Sequence, residues 1–178
     1  MTFWALRHPP IERSGRCIGQ TVVPLLLPLV DSVQSAIHTA PVHPEKIVSS
    51  DLPRCADLAV AMGTKMNAEV QLFKALREMS FGAWEGRHFD DLDQTDHVRW
   101  RAWCADWQNE TPPGGESLQQ FQARIAQWLA QHGPEKNTVV VTHAGVLRAF
   151  QVLEGRSWGT AMQTPYEFLT WHPFSPSP

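Results

Sequence analysis

Residues 138–145 read Thr-Val-Val-Val-Thr-His-Ala-Gly, and this stretch decides the fold of the chain. Its three valines are consecutive and do not alternate with polar residues, which is typical of a parallel strand that helices cover on both faces. We therefore predict a central strand over residues 138–142. The small residues that follow this strand predict a helix over residues 144–153.

Two other apolar segments end, like this one, in basic residues or histidine. Residues 3–6 run into Arg7 and His8, and a second predicted strand over residues 46–50 is followed closely by Arg54. Ligands of open α/β sheets bind at the carboxyl ends of the strands, so the three strand ends predict one cationic pocket. Its members are Arg7, His8, Arg54 and His143. Such a pocket suits a phosphoryl group, which one of its histidines could attack.

Helical periodicity and capping residues place helices between these strands. Apolar spacing predicts one helix from Leu29 and another after Leu52. Ser117 and Gln120 form a capping-box pattern that opens a third helix, and Gly133-Pro134 is expected to end it. Strands that alternate with helices indicate an α/β fold with a mostly parallel sheet.

The remaining segments are assigned from composition. Residues 68–72 and 167–171 are predicted strands, and residues 173–178 are expected to be irregular. Residues 87–112 are rich in Asp and Trp and predict a helical excursion, which either packs on the main core or forms a lid over the pocket. The length of 178 residues favours a single domain over residues 1–178.

Composition narrows the function classes. Hydrophobic residues make up 43% of the chain and charged residues 19%, which is typical of a globular protein. The net charge of −3 gives no general electrostatic reason to bind nucleic acid or an anionic membrane. Neither nucleic acid nor a membrane is therefore an expected partner, and the oligomeric state stays open.

Cysteine usage and the amino-terminal sequence bear on the compartment and on metals. The three cysteines have no Cys-x-x-Cys spacing, so neither a zinc site nor a disulfide framework is indicated, and a reducing compartment is favoured. Arg7 and His8 interrupt the first apolar run, which argues against a signal peptide. We expect a cytoplasmic protein that uses neither a metal nor a cofactor.

Four motifs follow one another along the chain. They are Leu-Arg-His at 6–8, Ser-Ser-Asp-Leu-Pro-Arg at 49–54, Leu-Arg-Glu-Met-Ser-Phe-Gly-Ala-Trp-Glu-Gly at 76–86 and Thr-His-Ala-Gly at 142–145. Together they resemble the histidine phosphatase superfamily over roughly residues 3–150. The resemblance implies a three-layer phosphoglycerate-mutase-like fold, with helices on both faces of a mostly parallel central sheet. Within the family, residues 7–25 look most like α-ribazole phosphatases of cobalamin nucleotide-loop assembly.

The resemblance implies a role for each matched residue. His8 would attack phosphorus and become phosphohistidine, and it must be neutral to do so. Arg7, Arg54 and His143 would hold the phosphoryl oxygens and the charge of the transition state. Glu78 would protonate the leaving oxygen and then take a proton from the water that hydrolyses the phosphoenzyme. The implied substrate is a small phosphomonoester.

Other positions of the motifs are expected to bind substrate or support the site. The substrate-binding residues are predicted to be Gln20, Thr21, Ala144 and Gly145. Glu85 is a rival for the acid, but in the family this second glutamate is usually structural. Two positions depart from the family pattern. Pro9 replaces the usual glycine and has no N–H to donate, and Val22 replaces a common aspartate.

Three other functions compete with a histidine phosphatase. A phosphoglycerate mutase would need the phosphoenzyme to survive until it donates the group again, and this chain looks shorter than the family's mutases. A non-catalytic relative that binds a phospho-ligand or a protein would not need all five matched residues. Residues 91–95 also fit the Asp-x-Asp-x-Thr signature of magnesium-dependent phosphatases, but no strongly apolar strand precedes them.

Overall fold

The computed structural model describes residues 2–12, 14–133 and 137–176. Its strands are β1 (Phe3–Arg7), β2 (Lys46–Ser50), β3 (Glu69–Phe73), β4 (Thr138–Thr142) and β5 (Trp171–Phe174). Its α-helices are α1 (Leu29–His38), α2 (Pro53–Met66), α3 (Phe89–Thr95), α4 (His97–Ala105), α5 (Leu118–His132), α6 (Ala144–Leu153) and α7 (Trp158–Gln163). Short 3₁₀ helices span Lys74–Leu76 and Gly82–Trp84.

The strands form one sheet in the order β3-β2-β4-β1-β5. β3, β2, β4 and β1 run parallel, and β5 pairs antiparallel with β1 at one edge. All five residues of β4 are buried, which confirms that the valine run is the central strand. The fold is α/β with a mostly parallel sheet.

Successive residues of β4 point to opposite faces of the sheet, and each face has its own apolar core. Val139 and Val141 lie in a cluster with residues of α1 and α2, while Val140 lies in a second cluster with residues of α5 and α6. The aromatic side chains of Phe121 and Phe150 fill much of the second cluster. Helices therefore cover both faces, and the predicted three-layer fold is confirmed. A single domain over residues 1–178 stays a prediction.

The predicted excursion is helical only in its first part. α3 and α4 lie between residues 89 and 105, while residues 106–112 belong to no helix. A small third cluster of Cys17, Trp84 and Leu92 anchors α3, with Trp103 of α4 packed against it. The excursion therefore has its own apolar support.

The carboxyl-terminal strand prediction was wrong by several residues. The strand is Trp171–Phe174 instead of residues 167–171, so the start of the segment expected to be irregular belongs to the sheet. Pro173 is tolerated because β5 is an edge strand, where a missing N–H costs little. The indole N–H of Trp171 donates to the Ala36 carbonyl at 3.1 Å and fixes the strand against α1.

Two further elements differ from the sequence-based prediction. α7 was not predicted, and β3 begins one residue later than expected. Pro134 and residues 177–178, which belong to the predicted helix stop and the predicted tail, lie outside the described residues. Over the described ranges, the helices are too short or too polar to cross a membrane.

Candidate active site

The strand register brings the predicted site residues to one edge of the sheet. Arg7 pairs with Thr142 across β1 and β4, and the His8 amide donates to the Thr142 carbonyl at 2.9 Å. His8 and His143 therefore leave neighbouring strands at the same level, with ring centroids 5.1 Å apart. His8 is buried, with 4% of its surface exposed.

A contact with the Pro9 carbonyl orients the His8 ring. Its Nδ1 lies 2.7 Å from the Pro9 carbonyl oxygen, which can only accept a hydrogen bond. A proton on Nδ1 puts the lone pair on Nε2, the tautomer that a nucleophile at Nε2 requires. Pro9 lacks an N–H but keeps this carbonyl, so the departure from glycine preserves the orienting contact.

Two aromatic residues after α7 fix Arg7. Its guanidinium lies 3.7 Å from the centre of the Phe168 ring, and one terminal nitrogen donates to the Tyr166 carbonyl at 2.5 Å. The same Phe168 ring lies 5.5 Å from that of His8. The stacking leaves Arg7 little rotamer freedom. The sequence motifs gave no sign of Phe168 or Tyr166.

Arg54, at the start of α2, is the most enclosed arginine of the site. It is 4% exposed, and its Nε donates to Nδ1 of His143 at 3.2 Å. Its two terminal nitrogens donate to the carbonyls of Gly19 and Thr21 at 2.5 and 3.0 Å. Arg54 thus ties the loop after β1 to His143.

The hydrogen bonds of His143 define its protonation. Nδ1 accepts from Arg54, so a neutral ring carries its proton on Nε2, which lies 2.9 Å from the Ser50 hydroxyl. Burial, followed by the electrostatic interaction with His8 and by the positive charges of Arg54 and Arg7, lowers the pKa of His143 well below 6.5. His143 is therefore neutral near pH 7.

Glu78 reaches the same place from the third motif. Its Oε2 accepts the Gly145 amide at the start of α6 at 3.0 Å, and its Oε1 accepts the Met79 amide at 3.0 Å. Glu78 lines one cavity together with Arg7, His8 and Arg54. The cavity thus combines a carboxyl group with two guanidinium groups and an imidazole.

Gly145 has no Cβ and so leaves room for the carboxyl group of Glu78. Adding a Cβ at this position tests whether that carboxyl group must lie there. A Cβ at residue 145 would lie 2.0 Å from Oε1 of Glu78. We expect Gly145→Ala to displace the carboxyl group and lower kcat about 10²-fold, because small misplacements of catalytic groups are costly. Gly159→Ala is the control, since the nearest atom to its Cβ is 3.8 Å away. Phosphate release at wild-type rates by Gly145→Ala would contradict the assignment.

Glu85 has a structural environment. Its carboxylate accepts the backbone amides of Gly19, Gln20, Thr21 and Phe81 and the Thr21 hydroxyl, at 2.6–3.2 Å. Burial alone would raise its pKa, but these hydrogen bonds outweigh burial and hold the pKa below the ordinary value. A carboxylate held ionised in this way is poorly suited to donate a proton.

The side chains of Gln20 and Thr21 lie away from the cavity wall. Gln20 donates to the Glu78 carbonyl at 3.2 Å and accepts from Arg77 at 3.4 Å, while the Thr21 hydroxyl donates to Glu85 at 2.6 Å. Ala144 and Gly145, the other two predicted binding residues, do line the cavity.

The sequence reasoning missed an arginine that supports the Glu78 segment. Arg124 of α5 donates to the carbonyls of Ala75, Arg77 and Glu78 at 2.7, 3.1 and 3.4 Å. It also forms a two-point ion pair with Glu116, at 2.8 Å for each contact. Nothing local signals this role, because Arg124 is 46 residues from Glu78.

The cavity has a volume of about 580 Å³ and a largely aromatic wall. The rings on this wall belong to Phe81, Phe89, Trp100, Trp103, Trp107, Phe121 and Trp158. Phe89, Trp100 and Trp103 are stacked in sequence, with centroids 5.5 and 5.6 Å apart. Trp84 lies fully buried beneath this wall, and its N–H donates to Asp96 at 2.8 Å.

The aspartates of the competing Asp-x-Asp-x-Thr motif lie on a helix. Asp91 is exposed and lies within α3, with the Thr95 hydroxyl donating to its carbonyl at 2.6 Å. Asp93 is paired with Arg101 at 2.8 Å. These carboxylates are therefore on a helix, whereas the magnesium-dependent signature requires a strand end. In residues 2–12, 14–133 and 137–176, His, Cys, Asp and Glu form no group of three that could hold a metal ion.

Comparison with known proteins agrees with this geometry. The family model described as histidine phosphatase superfamily (branch 1) matches residues 3–165. The chain is 36% identical over 160 residues to the adenosylcobalamin/alpha-ribazole phosphatase of Escherichia coli K12, covering 83% of this chain and 75% of that protein.

Solved structures resemble the whole fold. The alpha-ribazole phosphatase from Shigella flexneri superposes with a TM-score of 0.87 at 28% identity, covering 97% of this chain and 89% of the other. Mycobacterial glucosyl-3-phosphoglycerate phosphatase superposes with a TM-score of 0.78 at 26% identity, covering 97% and 88%. The family match spans both histidines, both arginines and Glu78. The chain therefore belongs to branch 1 of the histidine phosphatase superfamily and is a phosphatase.

Proposed function

We propose that this phosphatase hydrolyses α-ribazole 5′-phosphate, or a larger phosphomonoester that contains α-ribazole, through a phosphohistidine on His8. The observation that carries the proposal is a single cavity that joins His8, Arg7, Arg54 and Glu78 to a stacked aromatic wall. The identity of 36% to a protein named for these substrates supports the choice.

The first half of the reaction transfers the phosphoryl group to His8. Nε2 of the Nδ1-protonated ring attacks phosphorus, and the bond between phosphorus and the ester oxygen breaks. Arg7 and Arg54 offset the charge of the phosphoryl oxygens. Glu78, in its protonated form, gives its proton to the leaving oxygen, so that the products are an alcohol and phosphohistidine.

The second half releases phosphate. Glu78, now ionised, takes a proton from a water molecule whose oxygen attacks phosphorus as the bond to His8 breaks. His143 acts from beneath the cavity, where it is fully buried. Its Nδ1 accepts from Nε of Arg54 and so fixes the guanidinium that faces the phosphoryl group.

The aromatic wall is the basis for the nucleoside-type substrate. A phosphate alone needs only the strand ends, whereas a base needs a flat apolar surface beyond them. Phe89 lines the cavity, is 42% exposed and stacks on Trp100 with an interplanar angle of 17°, which leaves part of its surface accessible to a ligand. Stacking of a base on such a ring is worth about 1–3 kcal/mol.

Competition between two substrates tests the proposal. We expect kcat/KM for α-ribazole 5′-phosphate to exceed that for 3-phosphoglycerate by about tenfold or more. This factor corresponds to the free energy gained when one base stacks on an aromatic ring. Phe89→Leu should narrow this ratio without affecting the strand ends. A higher kcat/KM for 3-phosphoglycerate, or formation of 2-phosphoglycerate by a mutase reaction, would sink the proposal.

Activity without a metal is a second expectation. Arg7 and Arg54 supply the positive charge that a metal ion supplies in other phosphatases. Turnover should therefore be unchanged, within about twofold, by dialysis against excess chelator. Loss of activity that magnesium restores would contradict this, and would point to a metal-assisted mechanism.

The cytoplasm is the compartment we propose, in keeping with three cysteines that form no disulfide. That nucleic acid is not a partner stays a prediction from the net charge of −3.

A further inference from the structure

Arg148 differs from the other enclosed arginines because no acidic group or carbonyl in the described structure pairs with it. It belongs to α6 and lines the active-site cavity. Arg77 is paired with Asp51 and Arg124 with Glu116, at 2.6 and 2.8 Å. The guanidinium of Arg148 has only a distant ring contact, 6.0 Å from the centre of Tyr166.

The position of Arg148 makes this lack of a partner costly. Its Nε is shielded from solvent and has no hydrogen-bond partner among the described residues. Shielding this one donor of the guanidinium from water without an acceptor is unfavourable. An anion within the cavity would supply the missing acceptor.

The backbone of Arg148 lies beyond the strand ends, to which the proposed function assigns the transferred phosphoryl group. It is three residues after Gly145, so it is on the same side of α6 but about 4.5 Å further along the helix axis. α6 packs against α5 and α7, and the cavity residues of those two helices are Leu118, Phe121, Trp158 and Met162, none of which carries a charge. This part of the cavity therefore has a positive charge of its own.

We propose that Arg148 binds a second anionic group of the substrate, separate from the phosphoryl group that is transferred. The inference rests on the proposed phosphatase function and adds to it a class of preferred substrate. The group is a carboxylate or a phosphate ester, because both offer a guanidinium two oxygens at matching spacing. α-Ribazole 5′-phosphate has no such group, so the inference predicts faster turnover of phosphomonoesters that carry a second anion.

Matched pairs of substrates distinguish binding of a second anionic group from an effect of Arg148 on the turnover of every phosphomonoester. One pair is adenosine 5′-phosphate and adenosine 3′,5′-bisphosphate, which differ by a phosphate ester. The other pair is glycerol 3-phosphate and 3-phosphoglycerate, which differ by a carboxylate. For each pair the readout is the ratio of kcat/KM for the doubly anionic substrate to kcat/KM for the singly anionic one, with products identified by chromatography.

We expect Arg148→Met to lower this ratio about ten- to hundredfold in at least one pair. This factor corresponds to the free energy of one hydrogen bond between charged groups. The pair that responds identifies the second group as a phosphate ester or a carboxylate. Arg148→Lys should retain part of the ratio, because it keeps the charge without the planar fork. Arg156→Met is the matched control, since Arg156 is exposed and does not line the cavity.

Two outcomes would overturn the inference. If Arg148→Met lowers kcat/KM equally for both members of each pair, Arg148 acts on the transferred phosphoryl group. If the ratio is unchanged in both pairs while the thermal midpoint falls, Arg148 is structural. Failure of the proposed function would look different, because the wild-type protein would then hydrolyse none of the four esters.

Discussion

His8→Ala is expected to lower kcat by about 10⁴-fold or more with every phosphomonoester, because removal of a nucleophile abolishes the covalent route. The fold should survive, since His8 lies at the carboxyl end of β1, at the wall of the cavity and outside the apolar clusters. A thermal midpoint within a few degrees of wild type would verify this, as about 1 kcal/mol corresponds to 2–4 °C in a chain of this size.

Trapping identifies the nucleophile directly. Rapid quenching at alkaline pH, with substrate labelled at phosphorus, should find the label on His8 in the wild-type protein and no labelled protein in His8→Ala. Asp91→Asn is the matched control for the competing motif, and its turnover should be unchanged because Asp91 is exposed on α3. Label on Asp91, or loss of turnover in Asp91→Asn, would defeat the histidine mechanism.

The central part of the fold could be read from the sequence because local pattern and tertiary environment agree there. β4 and α6 have the predicted bounds. A strand buried on both faces must be continuously apolar, and small residues allow a tight turn from the strand into the helix. The cationic pocket followed from the same reasoning. Carboxyl ends of neighbouring parallel strands meet at one edge, so His8 and His143 had to be close.

The parts that were missed depend on contacts with no local signature. Phe168 orients Arg7 from 161 positions further along the chain, and Arg124 supports the carbonyl of Glu78 from another layer of the fold. Periodicity reports which face of a helix is buried, but not which carbonyl a long side chain will reach. The β5 error has the same origin, because an edge strand that contains Pro173 resembles a turn in sequence.

Trp84 illustrates a second limit. The tryptophans of residues 84–107 are alike in sequence, and composition does not show which of them line a cavity and which are buried beneath it. Trp84 packs edge-on against Trp100 and Trp103, at 5.4 and 6.0 Å, and so supports the rings that line the cavity. Only the three-dimensional arrangement separates the supporting ring from the exposed ones.

Glu78→Gln is expected to have the second largest effect on catalysis, and the effect should depend on the leaving group. An alkyl phosphate needs a proton on its leaving oxygen, so its kcat/KM should fall about 10²–10⁴-fold. A nitrophenyl phosphate leaves with little protonation, and its loss should be smaller by about tenfold or more. The measurement is a plot of rate against leaving-group pKa, which should become steeper in the variant.

Glu85→Gln provides the matched comparison, because Glu85 belongs to the same motif but binds only the protein. One carboxylate there accepts four amides and a hydroxyl, so an amide side chain in its place must oppose some of these donors. We expect a loss of stability of about 1–3 kcal/mol and a similar fall in rate for both substrates. Equal losses in Glu78→Gln would make Glu78 structural as well, whereas a steeper leaving-group dependence in Glu85→Gln would transfer the acid to Glu85. The different surroundings favour Glu78, since it alone of the two carboxyl groups lines the cavity that contains His8.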